Sequence, residues 1–273
     1  VSGREHERRI AALGTENAFK IGPRIRDAER RGQRVIRCNL GEPDFVLPVH
    51  IAEEVKRRID EGETHYADPQ GIEPLRMAIA KSVGLRRRIR ITPDRVVVFP
   101  GAKTPIGFAQ QVYCDPGHQV IYPSPGFPIY ESVINFVGAK PVPAALIEPR
   151  EFRLDVEQLR RAVTPRTRLI IINSPNNPTG GVLSREDLEA LAAIVQENDA
   201  WVLSDEVYSE LLYDGAHDTI AAHAGLLERT ILVDGFSKTF AMTGWRLGYA
   251  AVPEPLVEPI VRLVINSVSC TAP

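Results

Sequence analysis

Six short apolar runs, at residues 95–99, 119–122, 168–172, 200–203, 230–233 and 247–252, are rich in β-branched side chains and alternate with segments of helical apolar spacing. That alternation constrains the fold more than any other feature of the chain. A short, continuous apolar run suits a strand buried on both faces, which arises when helices cover a largely parallel sheet on its two sides. Two helical faces are explicit. Ile51, Val55 and Ile59 recur every fourth residue after Pro48, and Leu188, Leu191 and Val195 repeat after Ser184 and Asp187, a pair spaced to cap a helix start. Pro and Gly punctuate the joins, and the turn-rich stretch from Gly41 to Pro48 is the nearest candidate for a domain boundary. The expectation is an α/β fold.

With 273 residues, 44% of them hydrophobic and 25% charged, the chain can bury a sizeable core, read as one large domain with a smaller appendage. A net charge of −2 offers no sustained basic face for nucleic acid, and Arg86-Arg87-Arg88 reads as a solvated helix end. Cys38, Cys114 and Cys270 are odd in number and widely spaced, without the C-x-x-C spacing of metal or redox sites, and the six histidines are scattered. No metal site is therefore expected, and reduced thiols suit a cytoplasmic protein. No apolar run approaches the length of a membrane span, and Val1 to Arg9 is charged rather than signal-like.

Polar clusters follow three of the apolar runs: Asn173-Ser-Pro-Asn-Asn-Pro-Thr-Gly180, Ser204-Asp-Glu-Val-Tyr208 and Asp234-Gly-Phe-Ser-Lys238. In open α/β sheets ligands bind beyond the carboxyl ends of the strands, so these clusters can converge on one crevice. Lys238 brings an amine able to form a Schiff base with a carbonyl, while Ser237 and Arg246 bring a hydroxyl and a forked cation suited to a phosphate monoester. Pyridoxal phosphate carries both groups. Asp205 is placed to keep a pyridine nitrogen protonated, and Asn177 and Tyr208 to hold the ring's phenolate oxygen. Its neighbour Glu206 is expected to tolerate change better. Gly101 follows the run at 95–99, and Ala102 to Cys114 is expected to form a helix with Pro105 in its first turn, whose free amides favour an anion.

Asn39-Leu-Gly-Glu-Pro-Asp-Phe45, Thr64-His-Tyr-Ala-Asp-Pro-Gln-Gly71, Pro100-Gly-Ala-Lys103 and Ser124-Pro-Gly-Phe-Pro-Ile-Tyr130 add to these clusters in order. Together they make the chain, along almost its whole length, resemble the fold type I pyridoxal-phosphate aminotransferases of class I/II, in the aspartate aminotransferase-like branch. The resemblance implies a three-layer α/β/α large domain with a mostly parallel seven-stranded sheet, at residues 46–273, and part of a smaller domain whose N-terminal segment is residues 1–45. It implies Lys238 as the Schiff-base lysine and acid–base group, with Asp205 and Tyr208 as its catalytic partners. Gly101, Ala102, Lys103, Ser237 and Arg246 fall where the family binds the phosphate, and Phe127 where an aromatic ring stacks on the cofactor. Asn177 and Tyr208 match the ring-oxygen contacts, Gly41 and Asn177 lie near the substrate, and Tyr66 matches a tyrosine that reaches the phosphate of the neighbouring subunit in a homodimer. Trp245 is expected to pack against the strand.

The activity so implied is a ping-pong transfer of an amino group between an L-amino acid and a 2-oxo acid. Other chemistry on the same cofactor, such as β-elimination or decarboxylation, and a non-catalytic cofactor-binding module remain open. Relatives continue past the position of Pro273 with a segment that completes the small domain and supplies an arginine for the substrate carboxylate. The chain therefore reads as a truncated form or fragment, or as one that has lost that part.

Overall fold

In the computed structural model, which describes residues 10–14 and 16–273, the apolar runs pair into one eight-stranded sheet. Its strands are β1 (Val96–Phe99), β2 (Gln119–Ser124), β3 (Lys140–Ile147), β4 (Arg153–Leu154), β5 (Thr167–Asn173), β6 (Trp201–Asp205), β7 (Thr230–Gly235) and β8 (Gly248–Ala251). The order across the sheet is β1-β8-β7-β6-β5-β2-β3-β4. From β7 to β3 all neighbours are parallel; β8 runs antiparallel to β7 and β1, and β4 antiparallel to β3. Seven longer strands match the expected sheet, and the two-residue β4 adds an eighth at the edge.

All six apolar runs become strands, whereas β3 gave no such signal. Its sequence, Lys-Pro-Val-Pro-Ala-Ala-Leu-Ile, carries two prolines, which argue against a strand within a sheet. The Lys140 N–H donates to His118 O at 2.8 Å, and amide directions alternate along a strand. Pro141 and Pro143 thus occupy positions whose missing donors face away from β2, so no ladder bond is lost.

The helices used below are α1 (Gly22–Arg30), α2 (Val49–Asp60), α3 (Glu73–Arg87), α4 (Lys103–Tyr113), α5 (Ile129–Val137), α6 (Val156–Ala162), α7 (Arg185–Glu197) and α8 (Glu254–Ser267). Strand alternation sends Leu169 and Ile171 of β5 into a core shared with Ile106 of α4, Ile134 of α5 and Ile260 of α8. Ile170 and Ile172 point the other way, onto Leu159 of α6 and Leu188 and Leu191 of α7. Val96 and Val98 of β1 meet Ile79 and Val83 of α3. Helices on both faces explain why the strands read as unbroken apolar runs. The predicted cap of α7 is present: Ser184 Oγ accepts the Asp187 N–H at 3.2 Å, and Asp187 Oδ2 accepts the Ser184 N–H at 3.0 Å.

The helix expected over Ile51, Val55 and Ile59 forms as α2, but its apolar face is only partly covered: Ile51 and Val55 are half-buried and Ile59 is 58% exposed. The basic triplet is not simply solvated. Arg87 closes α3 with its side chain only 1% exposed, because Glu206 and Asp234 meet it inside the protein. Among the described residues no helix is long and apolar enough to cross a membrane.

Candidate active site

The carboxyl ends of β5, β6 and β7 open onto a cavity of about 870 Å³, lined also by Glu16, Ala18, Phe19 and residues 39–42 and flanked by the starts of α4 and α5. Parallel register sets Asn173 beside Asp205 and Asp205 beside Val233, so the three polar clusters converge as their positions after strands required. Asn177, Asp205, Tyr208, Ser237, Lys238 and Arg246 all line the cavity, together with Gly41, Ala102, Lys103 and Phe127.

Asp205 is buried at the tip of β6, where it accepts the Tyr130 O–H at 2.6 Å and the Val207 N–H at 3.4 Å. Burial raises its carboxyl to about 6, and the hydrogen bonds from Tyr130 and Val207 work against that rise. Tyr208 is pushed up to about 12, first by burial and then by the charge of Asp205. Asn173 organises the neighbouring turn: its Nδ2 donates to Asp205 O at 2.9 Å while its Oδ1 accepts the Asn177 N–H at 2.7 Å. Asn177 Nδ2 then donates to Tyr208 Oη at 3.4 Å.

Lys238 Nζ donates to Gly41 O at 2.5 Å and lies 5.8 Å from the centre of the Tyr208 ring. Burial lowers the pKa of its ammonium and nearby Arg246 lowers it further, while Glu42 opposes them. The neutral, nucleophilic amine is correspondingly easier to reach.

Behind the lysine the backbone is packed too closely for side chains. Gly101 has φ +81°, and a Cβ there would lie 2.2 Å from Arg246 Nη2; a Cβ on Gly248 would lie 2.4 Å from Ala102 N. The guanidinium of Arg246, itself on a left-handed residue (φ 53°), is braced by donation from Nη1 to Thr243 O at 2.8 Å. Forked cation, Ser237 hydroxyl and the first amides of α4 thus gather at one end of the cavity, an arrangement that suits an anion.

Other expectations are modified. Lys103 is ion-paired with Glu16, and its Nζ sits 5.2 Å from the centre of the Phe127 ring. Phe127, expected to stack on the cofactor, lines the cavity and meets Tyr130 edge to face at 5.8 Å. Tyr66 is 89% exposed and takes no part in the wall of its own chain's cavity. Trp245, expected to pack on the strand, is 46% exposed in the turn Thr243–Trp245. Glu206 is no bystander: it is buried, with Arg87 and His217 on Oε2 and the hydroxyls of Ser204 and Thr219 on Oε1. Burial alone would raise its carboxyl, but Arg87, His217 and Thr219 hold it down to about 2. Glu16, Phe19, Glu42, Tyr130, Asn173 and Thr243 also line the cavity, and none was given a site role from the sequence. Of these, Asn173, Glu42 and Tyr130 lie inside the motifs read from the sequence, though no role was assigned to them.

The family model for aminotransferase class I and II matches residues 33–272. The chain belongs to that family. Aromatic-amino-acid aminotransferase 2 of Thermococcus litoralis is 43% identical over 238 residues, which are 86% of this chain and 61% of that protein. An aspartate/prephenate aminotransferase of Thermus thermophilus is 37% identical over 266 residues, covering 97% of this chain and 68% of the relative. A solved structure of the Thermus thermophilus aspartate aminotransferase with maleate superimposes with a TM-score of 0.93 at 36% identity, covering 97% of this chain and 69% of the other. The chain thus spans about 61% of the length of the Thermococcus relative.

The cofactor of these aminotransferases is pyridoxal 5′-phosphate, and the residues present fit it. Asp205 is a buried carboxylate whose hydrogen-bond partners are an O–H and an N–H, with no cation paired to it among the described residues. A protonated pyridine nitrogen supplies the charge that such a group lacks. The crowded backbone around Gly101, Ala102 and Gly248 leaves amides and Arg246 facing the same end, as a phosphate requires.

Proposed function

We propose that this chain works in a transaminase that moves an amino group between an L-amino acid and a 2-oxo acid. The observation that carries the reading is one cavity holding a lysine with a destabilised ammonium, a buried aspartate without a cation, and an anion cradle. Bound pyridoxal phosphate supplies the electron sink for bond breaking at the substrate Cα. The chain's own part is to bind, orient and move a proton. Arg246, Ser237 and the amides from Gly101 to Lys103 would hold the cofactor's phosphate, and Phe127 in the cavity wall would pack against the cofactor and limit water. Asp205 would supply negative charge to its ring nitrogen, and Asn177 and Tyr208, hydrogen-bonded to each other, would hold its ring oxygen. Lys238 Nζ, released from Gly41 O, takes up and returns the proton at the reacting carbon. Gly41 and Asn177 border the place left for the substrate carboxylate.

Residues 1–45 then belong to a small domain and 46–273 to the cofactor-binding domain, in a cytoplasmic homodimer. The exposure of Ile36, Phe45, Val46, Val49 and Tyr66 supports a second copy on that side, and the three free cysteines suit a reducing compartment. The names of the relatives make aspartate and the aromatic amino acids the first donors to assay. Addition of pyridoxal phosphate should give a visible absorption band that Lys238→Ala lacks, and 2-oxo acid should form from the donor only when an acceptor is present. Formation of oxo acid without an acceptor would mark elimination chemistry instead. An unchanged band in Lys238→Ala would remove the lysine from its role.

A further inference from the structure

Three buried carboxylates crowd the ends of β6 and β7: Asp205, Glu206 after it, and Asp234 on the neighbouring strand. One guanidinium serves two of them, Glu206 and Asp234. From the last turn of α3, Arg87 donates through Nε to Glu206 Oε2 at 2.5 Å and through Nη2 to Asp234 Oδ2 at 2.6 Å and Ser209 Oγ at 3.2 Å. The remaining groups on the two outer carboxylates include the hydroxyls of Ser204 and Thr219 on Glu206 Oε1, at 2.7 and 2.6 Å, and the Tyr249 hydroxyl on Asp234 Oδ2, at 3.0 Å. Asp234 Oδ1 also accepts the Gly235 N–H at 2.6 Å. His217 Nε2 lies 2.8 Å from Glu206 Oε2 and has no contact with Asp234 among those described, so Arg87 alone bridges the pair.

Among the described residues Asp205 has no such cation. Facing it are Tyr130 from α5, Glu206 and Tyr208 from its own segment and Asp234 from β7, and both neighbouring carboxylates push its pKa upward. Behind them stand Arg87, His217 and Tyr249. A carboxylate near uncompensated anions keeps its proton to higher pH, and a cation between those anions relieves it.

We infer that Arg87 is a positioning residue: it neutralises Glu206 and Asp234, so that of these three buried carboxylates Asp205 alone presents a free negative charge to the cavity near neutral pH. The use of that charge toward a pyridine nitrogen rests on the transaminase reading, but the electrostatic role stands on this chain's own groups.

The test is a carboxyl titration of the cofactor-free protein labelled with ¹³C in Asp and Glu side chains, with Asp205 assigned from Asp205→Asn. Arg87→Met should raise the Asp205 midpoint by about one pH unit or more, and Arg87→Lys should recover part of that shift. Arg87→Met with Glu206→Gln, compared with Glu206→Gln alone, repeats the test with one buried anion fewer, so that a misfolded single variant does not decide the matter. A midpoint indifferent to Arg87 in either background, even with lowered stability, would reduce the arginine to a structural ion pair and overturn the inference. A parallel titration of the wild type with pyridoxal phosphate shows separately whether the cofactor reading fails.

Discussion

Asp205 illustrates how a carboxylate buried at a candidate site can weaken the fold that carries it. Its carboxyl is raised to about 6 by burial, so its contribution to stability is fully present below the unfolded value of 3.8 and is lost as pH rises through about 6. Glu206 has the opposite sign, contributing above its unfolded value of 4.5 and losing that contribution as pH falls through about 2. Asp205→Asn should therefore raise the unfolding free energy of the cofactor-free protein at pH 7.5 by about 1–3 kcal/mol. Denaturant titrations should show the gain shrinking as pH falls below 6, and cofactor-loaded turnover should drop severely in the same variant. The sequence showed Asp205 and Lys238 through their places after apolar strands. It did not show Tyr130 or Arg87, because the contacts that matter join residues 75 and 119 positions away in sequence. Nor could a charge triplet reveal that its middle arginine is buried while Arg86 stays half exposed.

At the scale of elements, the site depends on how closely β8 approaches the start of α4. Gly248 opens β8 in pairing with Gly235 of β7 and Phe99 of β1, and its Cα hydrogens face the backbone of Gly101 and Ala102. Gly248→Ala should destabilise the protein by about 2 kcal/mol or more, since the atoms in the way are backbone and cannot swing aside. It should also weaken pyridoxal phosphate binding at least tenfold, by tilting the first amides of α4; denaturation midpoints and absorbance titrations would check the two effects. Unchanged affinity in a destabilised variant would separate the packing from the cradle. Elements with strong periodicity or apolar runs were legible in advance, as with α7 and β5. In β3 the prolines concealed the strand because their compatibility depends on which side a neighbour lies, a fact of topology rather than of local sequence.

For the whole molecule, the position of Tyr66 gives the sharpest test. If a second copy delivers it across the interface, mixing an inactive Lys238→Ala chain with an inactive Tyr66→Ala chain should restore activity, because one of the two sites in each mixed dimer is intact. A Tyr66 serving its own chain would leave every mixed site damaged, and no activity would return. Ile59 of α2 and Ile36, Leu40, Phe45, Val46 and Val49 before and at its start are exposed on the single chain, and helical periodicity alone could not say what covers them. A molecule that presents such surface must also avoid joining copies in the wrong way, and an open strand edge is the easiest place for that error. Along β3, beyond the short stretch covered by β4, Pro141 and Pro143 remove two outward amides in succession. An incoming strand would find carbonyls there without matching donors, so the sheet ends itself against indefinite, fibril-like growth and leaves specific association to other surfaces.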